Sequence, residues 1–313
     1  MEWHRKSQGS HMTTDKPSVT QKLVEVPCPV CGSEEYRVHL PGTLGDDLPV
    51  FGYKWTPEVS RSYRMVRCKI CSHVYASPRL SNIYKHYVDN VDETYIENEP
   101  LRTATARVVI DTIQKFVSSG RLLDIGCATG DFLAVAQKHF DVEGLELSNW
   151  ARKEVERKGL AVYDKVLADI VEEGPCYDVV TMWGVIEHLE YPLLEMKRVH
   201  RLMRPNGVVC LWTGDVDSFL ARLFGGRWWY VMGQHLQLFG RASLDRLLRD
   251  AGFEPVYRGT YPYVTSFGYL GKSLGRYQLF GRIACFFLNL PVIRDWTFTL
   301  KLPDEIFDVY RKV

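Results

Sequence analysis

Cys28, Cys31, Cys68 and Cys71 form two Cys-x-x-Cys pairs, followed by the small residues Gly32 and Ser72. Thiolates three positions apart on a tight knuckle can face one ion, and two such knuckles complete a tetrahedron. Four sulfur ligands leave no open position, so the chemistry indicated is a structural zinc ion rather than a catalytic metal. A second signal runs from Leu122 to Leu133, where an apolar run ending in Asp124-Ile125 meets a Gly126-x-x-x-Gly130 turn and a helix start. Glycines let backbone approach a ligand closely, but this loop lacks the third glycine of the dinucleotide pattern and the lysine of a phosphate loop. Glu146 stands twenty positions after Gly126, where a carboxylate suits the two hydroxyls of a ribose. These features describe a cradle for a nucleoside without phosphates. A third signal is a pair of histidines, His188 after Glu187 and His235 after the aromatic run Trp228-Trp229-Tyr230. Imidazole is the side chain best suited to take a proton near neutrality, so both are candidate general bases. His73, His86, His139 and His200 have no supporting context.

The elements that must position these groups follow from patterning. Residues 1–11 read as a vector-derived leader and are set aside. Residues 12–80 carry the cysteine pairs around a loop rich in Gly, Pro and aromatics, and read as a zinc-ribbon-like module. Residues 81–118 read as a helical linker or lid, with Tyr84, Tyr87 and Tyr95 followed by an amphipathic stretch at Thr103–Val117. From 119 to 313 strand and helix patterns alternate, the mark of a parallel sheet covered on both faces. Strands are expected at Arg121–Ile125, Asp141–Leu147, Tyr177–Trp183, Val208–Trp212, Phe253–Tyr263 and Asp304–Tyr310. Residues 264–303 read as a helical insertion over the acceptor pocket or a dimer face, with a peripheral membrane contact as a sharper alternative.

Composition limits the partners. The 313 residues carry 39 Lys plus Arg against 38 Asp plus Glu, a formal charge of +1, which argues against a dedicated phosphate-neutralising protein. Residues 12–100 hold ten Lys/Arg against twelve Asp/Glu, so the cysteine module in particular does not read as a nucleic-acid binder. The apolar stretch Ile283–Ile293 is broken by Asn289 and Pro291 and is far short of the ~20 residues that span a bilayer. Paired cysteines in a chain of this size favour metal in a reducing compartment, hence a soluble cytoplasmic protein, monomeric or homodimeric.

Five segments in order, LLDIGCATG (122–130), GLELS (144–148), ADI (168–170), YDVVTMWGVIEHL (177–189) and LMRPNGVV (202–209), make the chain similar to the class I S-adenosylmethionine-dependent methyltransferases. The resemblance covers residues 119–263. It implies an α/β, Rossmann-like, seven-stranded, mostly parallel sheet whose last strand is antiparallel. It places Asp124, Gly126 and Gly130 around the methionine part of the cofactor, Glu146 on the ribose, Asp169 and Ile170 beside the adenine, and Trp183 in the pocket wall. Cys127 and Leu147 complete the implied cofactor-binding set. Tyr84, Tyr87 and Tyr95 resemble the family's aromatic lid, and Trp229 and Tyr230 are expected at the substrate side.

The layout also resembles bacterial methyltransferases with an N-terminal four-Cys zinc module that act on deoxysugar nucleotides, glycoconjugate precursors or natural products. In the sugar C-methyltransferases of that group a Glu-His-Leu leads to Phe-Ser and the next helix, with the His as base. This chain keeps His235, Leu236, Phe239 and Ser243-Leu244 but has Gln234 in place of Glu and Gly240 in place of Ser. O-methylation therefore stands beside C-methylation. The expected function is methyl transfer to a small or glycan-type acceptor with a His base. The alternatives are a zinc-module RNA base methyltransferase and a catalytically silent scaffold.

Overall fold

A computed structural model describes residues 23–45, 47–52, 59–170, 174–274 and 285–313, apart from the side chains of Glu93 and Thr94. The leader reading for residues 1–11 lies outside the described residues, as do the N-terminal part of the cysteine module before Leu23 and residues 275–284 of the expected insertion.

Three short strands, β1 (Tyr36–Leu40), β2 (Met65–Cys68) and β3 (Val74–Ala76), form an antiparallel sheet that carries the cysteine knuckles. A 3₁₀ turn at Ile83–His86 and two helices, α1 (Glu93–Ile96) and α2 (Glu99–Ile113), lead into the main domain. There the order is β4 (Arg121–Ile125), α3 (Asp131–Ala136), β5 (Asp141–Leu145), α4 (Asn149–Arg157), β6 (Ala161–Tyr163), β7 (Tyr177–Trp183), α5 (Pro192–Leu202) and β8 (Met203–Gly214). The chain continues through α6 (Phe219–Phe224), β9 (Gln237–Leu238), α7 (Arg241–Asp250), β10 (Phe253–Gly259), β11 (Pro262–Ser266), α8 (Phe267–Leu274), β12 (Thr297–Lys301) and β13 (Glu305–Lys312).

Seven of these strands form one sheet in the order β10-β13-β8-β7-β4-β5-β6. Strands β4 to β8 run parallel, whereas β13 is antiparallel to both β8 and β10. The expected seven-stranded sheet with an antiparallel final strand is what the chain forms. Central strands bury both faces, which is why β4 and β7 read as near-continuous apolar runs. Leu123, Val180, Met182, Val209 and Leu211 pack one face; Leu122, Val179, Val208 and Val309 pack the other. Each such side chain contributes on the order of 1.5–3 kcal/mol when fully buried.

Besides shifted ends, such as β8 starting at Met203 rather than Val208, β5 ending at Leu145 and α2 covering Glu99–Ile113, two parts of the sequence reading are corrected in kind. The strand expected over Phe253–Tyr263 divides into β10, in the main sheet, and β11, which leaves it to pair with β12. In consequence the 264–303 stretch is not wholly helical: α8 and the helical residues 285–288 are described in it, and the β11–β12 ribbon closes its base. Thr297–Lys301 alternates half-buried and exposed residues, the period of a two-stranded ribbon rather than of a helix. The N-terminal sheet also gains a fourth strand from the main domain, because β3 pairs with β9 at Val74↔Leu238 and Tyr75↔Gln237. Among the described residues no helix is long and apolar enough to cross a membrane.

Candidate active site and cysteine centre

The turn after β4 is held against β5 by the Gly126 and Cys127 N–H groups, which donate to the Leu145 carbonyl. Gly126 has φ +69°, and a Cβ there would lie 2.7 Å from Val185, so no side chain fits at this close approach. Glu146, one residue past β5, is oriented by two backbone donors: Ala128 N–H at 2.9 Å and Ser148 N–H at 2.7 Å. Asp124, at the end of β4, accepts from Thr181 Oγ1 at 2.6 Å, and its other oxygen is buried without a partner among the described residues. Burial pushes the Asp124 carboxyl up to about 8, and the Glu146 charge adds to this.

Trp183, at the end of β7, meets the rings of Phe132, Tyr261 and Phe307 edge-on or tilted, and its indole N–H is also buried without a partner. Asp124, Gly126, Cys127, Glu146, Leu147 and Trp183 line one cavity of about 1630 Å³. That volume exceeds what small-molecule pockets commonly span, leaving room for an acceptor beside a nucleoside.

Three expected cofactor residues stand elsewhere. Gly130 takes φ +75° at the start of α3 and faces Val155 and Leu160, so it shapes the turn without lining the cavity. The Asp169 carboxylate folds back onto the Val166 N–H at 3.2 Å, and Ile170 packs in the core. Their neighbours Lys165, Val166, Leu167 and Ala168 provide that wall instead.

His188 and His235 line the same cavity and meet there, with ring centroids 4.7 Å apart at 78°. Nδ1 of His235 lies 2.7 Å from the Tyr230 carbonyl, and a carbonyl only accepts, so Nδ1 carries the proton and Nε2 is the bare nitrogen. Nδ1 of His188 is shared between the Gln234 carbonyl at 3.0 Å and the Tyr87 hydroxyl at 2.9 Å. Burial holds both rings neutral, His188 down at about 4 and His235 well below its ordinary value. Beneath them Glu187 accepts from the Tyr230 hydroxyl and from Thr213 Oγ1, and burial pushes its carboxyl up to about 7.

The expected lid residues Tyr84, Tyr87 and Tyr95 line the cavity, as do Trp229 and Tyr230. Tyr84 accepts from the Glu190 N–H, and Tyr95 lies under the Arg102 guanidinium at 3.6 Å. Tyr230 is buried with its hydroxyl spent on Glu187, so it supports the His loop from behind.

Sequence reasoning missed the acidic end of the cavity. Asp304 and Glu305 open β13, and Asp304 Oδ2 accepts the indole N–H of Trp228 at 2.7 Å and of Trp229 at 2.8 Å. Their motif signal is nil, because two adjacent acids after a proline look like any turn. His73 was also missed. It is fully buried and bonds Gln237 Oε1 at 2.9 Å, joining β3 to the segment that bears His235.

The four cysteines of the N-terminal sheet converge, with all sulfurs within 4.8 Å of one another. Cys28 and Cys71 sulfurs are 3.5 Å apart and Cys31 and Cys68 sulfurs 3.6 Å apart. Tetrahedral Zn–S bonds of about 2.3 Å set sulfurs about 3.8 Å apart, so the donor set fits that ion. Gly32 and Ser72 both take positive φ, +74° and +62°, which closes each knuckle.

A glycine turn and a backbone-braced Glu146 at the carboxyl ends of β4 and β5, in a seven-stranded sheet with one reversed strand, match the class I S-adenosylmethionine-dependent methyltransferase fold. The chain belongs to the family described as "Methyltransferase domain", whose sequence model matches residues 97–258. It is 32% identical over 152 residues to a ubiquinone biosynthesis O-methyltransferase of Ruegeria pomeroyi, covering 44% of this chain and 61% of that one. An uncharacterized protein of Methanocaldococcus jannaschii is 25% identical over 144 residues, covering 46% and 66%. The chain thus matches less than two thirds of the length of these relatives. Among solved structures, a chain of a Haloferax volcanii methyltransferase–activator complex shares the fold at a TM-score of 0.50 and 11% identity, covering 70% of this chain and 94% of that one.

Proposed function

We propose that this protein transfers the methyl group of S-adenosylmethionine to an oxygen of a small acceptor, of sugar, nucleotide-sugar or natural-product type, with His235 as general base. The observation that carries this reading is one cavity in which a phosphate-free nucleoside cradle faces an imidazole of fixed tautomer. Asp124, Gly126, Cys127, Glu146, Leu147 and Trp183 would hold the cofactor. The unpartnered Asp124 oxygen suits its ammonium group and the backbone-braced Glu146 carboxylate suits its ribose. S-adenosylmethionine supplies an electrophilic methyl whose departure leaves a neutral thioether, so no acid is needed on that side.

The protein's remaining tasks are to orient the acceptor hydroxyl and remove its proton. The proton goes to Nε2 of His235, and the Nδ1–H bond to the Tyr230 carbonyl steadies the imidazolium that results. His188, bound to Tyr87 and Gln234, braces that loop. Two facts favour oxygen over carbon as the receiving atom. The named relative is an O-methyltransferase. In addition, Gln234 is committed to the backbone of Gly52 through two hydrogen bonds, so position 234 offers His235 no carboxylate, and the carboxyl that does approach it, Glu187, is spent on Tyr230 and Thr213. Cys28, Cys31, Cys68 and Cys71 would hold a structural zinc ion.

Titration calorimetry with S-adenosylhomocysteine tests the assignment. Binding is expected, and Glu146→Ala should weaken it at least tenfold. Equal affinity in that variant, or no heat with the parent protein, would sink it.

A further inference from the structure

At β8 and the start of β13 the cavity is lined by buried polar groups that close no hydrogen bond among the described residues. Glu305 is 1% exposed, lines the cavity and faces the Trp212 indole and the Tyr263 hydroxyl, yet among the described residues neither carboxyl oxygen closes a hydrogen bond of full geometry. Asp304, also 1% exposed, uses Oδ2 for two indoles while Oδ1 stays unpaired. The Trp212 indole N–H, on the strand beside β13, is a buried donor that lies near Glu305 without closing a hydrogen bond among the described residues. Buried polar atoms are paired in the great majority of cases, because each unpaired one forfeits its hydration, so a group of them around one void points to a ligand.

The types of these atoms restrict that ligand. A hydroxyl donates and accepts at once, and can therefore take the Trp212 N–H and give its own proton to a Glu305 oxygen. An ammonium only donates and would leave the indole unmatched. Burial, followed by the neighbouring Asp304 charge, pushes the Glu305 carboxyl up to about 9, so it is itself both donor and acceptor at neutral pH. Around it stand apolar ring surfaces: Tyr261 and Tyr263 are 4.9 Å apart edge-on, Tyr263 meets Trp212 edge-on at 5.7 Å, and Trp229 is fixed by Asp304. Such faces pack the C–H surfaces of a saturated ring while its hydroxyls reach the acids.

We propose that Glu305, Asp304 and Trp212 form an acceptor subsite that recognises adjacent hydroxyls of an uncharged, polyhydroxylated saturated ring, a hexopyranoside in chemical class. This rests on the methyltransferase reading and assigns the chemistry that reading leaves open. It makes Glu305 the specificity-determining group, since a site built to hydrogen-bond a hydroxyl strongly rejects ligands that lack it.

The test uses the full chain saturated with S-adenosylhomocysteine. Saturation-transfer NMR would follow methyl hexopyranosides, the matching 2-amino-2-deoxy glycosides, and cyclohexylmethanol, which lacks the hydroxyl array. The neutral hexopyranosides are expected to bind, with cyclohexylmethanol at least tenfold weaker. Glu305→Ala and Trp212→Phe should each weaken the sugar at least tenfold and leave S-adenosylhomocysteine affinity within twofold. Glu305→Gln, which keeps both a donor and an acceptor in the same volume, should retain most of the binding and guards against a variant that fails to fold. Three results overturn the proposal: preference for the amino sugar, sugar binding unchanged in Glu305→Ala and Trp212→Phe, or no sugar binding by a protein that binds S-adenosylhomocysteine. Failure to bind S-adenosylhomocysteine at all would instead remove the methyltransferase reading itself.

Discussion

His235 and Gln234 are neighbours with opposite assignments. The bare Nε2 of His235 faces the cavity because Nδ1–H is spent on the Tyr230 carbonyl, an arrangement fixed by the short Tyr230–His235 segment. Removing the imidazole should leave cofactor binding intact and slow turnover by about 10²–10⁴-fold, the usual contribution of a positioned base. His235→Ala is expected to show that kcat loss with S-adenosylhomocysteine affinity within twofold of the parent. A similar turnover would mean that the proton leaves by another route. His188→Ala should also disturb the loop, because its Nδ1 ties Gln234 and Tyr87 together, so a loss there as large as in His235→Ala would make His188 the base instead. Gln234 is explained by its partner: its amide accepts from the Gly52 N–H at 3.1 Å and donates to the Gly52 carbonyl at 3.0 Å. A carboxylate can make the first bond but not the second, and would sit against a carbonyl dipole. Gln234→Glu should therefore destabilise the fold by about 1–3 kcal/mol in denaturant titration at pH 8, the range for leaving a buried group unpaired. Gln234 stands where the resemblance to the sugar C-methyltransferases implies a Glu. The reason was hidden in sequence, since Gly52 lies 182 positions away and has no pattern of its own.

At the scale of elements, the cysteine sheet and the His235 loop are one assembly. The Ala76 N–H donates to the Leu236 carbonyl at 2.8 Å, the β3–β9 pairing follows, and His73 clamps Gln237, whose amide N–H in turn reaches the Leu189 carbonyl. The segment after His188 is tied to the same side: Arg79 donates to the Glu190 carbonyl at 2.7 Å and Glu190 accepts from the Ile83 N–H. The residues proposed to hold the cofactor sit on a different support, the ends of β4, β5 and β7. If the four thiolates hold zinc, stripping it with a chelator, or Cys68→Ser, should loosen the base more than the cradle. The expected result is about one zinc per chain by metal analysis, and at least a tenfold loss of turnover on removal, with S-adenosylhomocysteine affinity little changed. Parallel loss of both would show that the metal holds the entire domain. This coupling was not legible in the sequence. The knuckles, the glycine turn, Glu146 and β4 and β7 were, because each is a local pattern: spacing of like residues, a turn that only glycine allows, or a run buried on both faces. The β3–β9 seam joins segments about 160 residues apart through a two-residue strand, too short for any periodicity. The β11–β12 ribbon escaped for a related reason, since its strands flank a long intervening stretch and neither is strongly buried.

For the whole molecule, three buried carboxyl groups around one cavity have a thermodynamic consequence that no single contact reveals. Asp124, Glu187 and Glu305 are pushed up to about 8, 7 and 9, in each case chiefly by burial. The unfolded chain releases these protons near its ordinary carboxylate range, around pH 4, while the folded protein keeps them. In that interval the folded state binds more protons, so stability falls as pH rises and continues to fall until each folded value is passed. The buried imidazoles act the other way. His73 and His188, both held down at about 4, make the folded state resist protonation, and the stability they confer is lost only as pH falls below about 6.5. Between pH 6.5 and 9 the carboxyl groups therefore set the slope, each contributing at most about 1.4 kcal/mol per pH unit while its folded form remains protonated. Differential scanning calorimetry of the ligand-free protein should give a Tm that declines across this interval. Glu305→Gln, which cannot ionise, should decline less steeply, the difference growing to pH 9 and then ceasing. Asp124→Asn should do the same up to about pH 8. Parallel slopes in parent and variants would mean that these groups are ionised in the folded protein. The Glu305 wall would then be a site for a cation, and the argument for a neutral hydroxylated acceptor would fail with it.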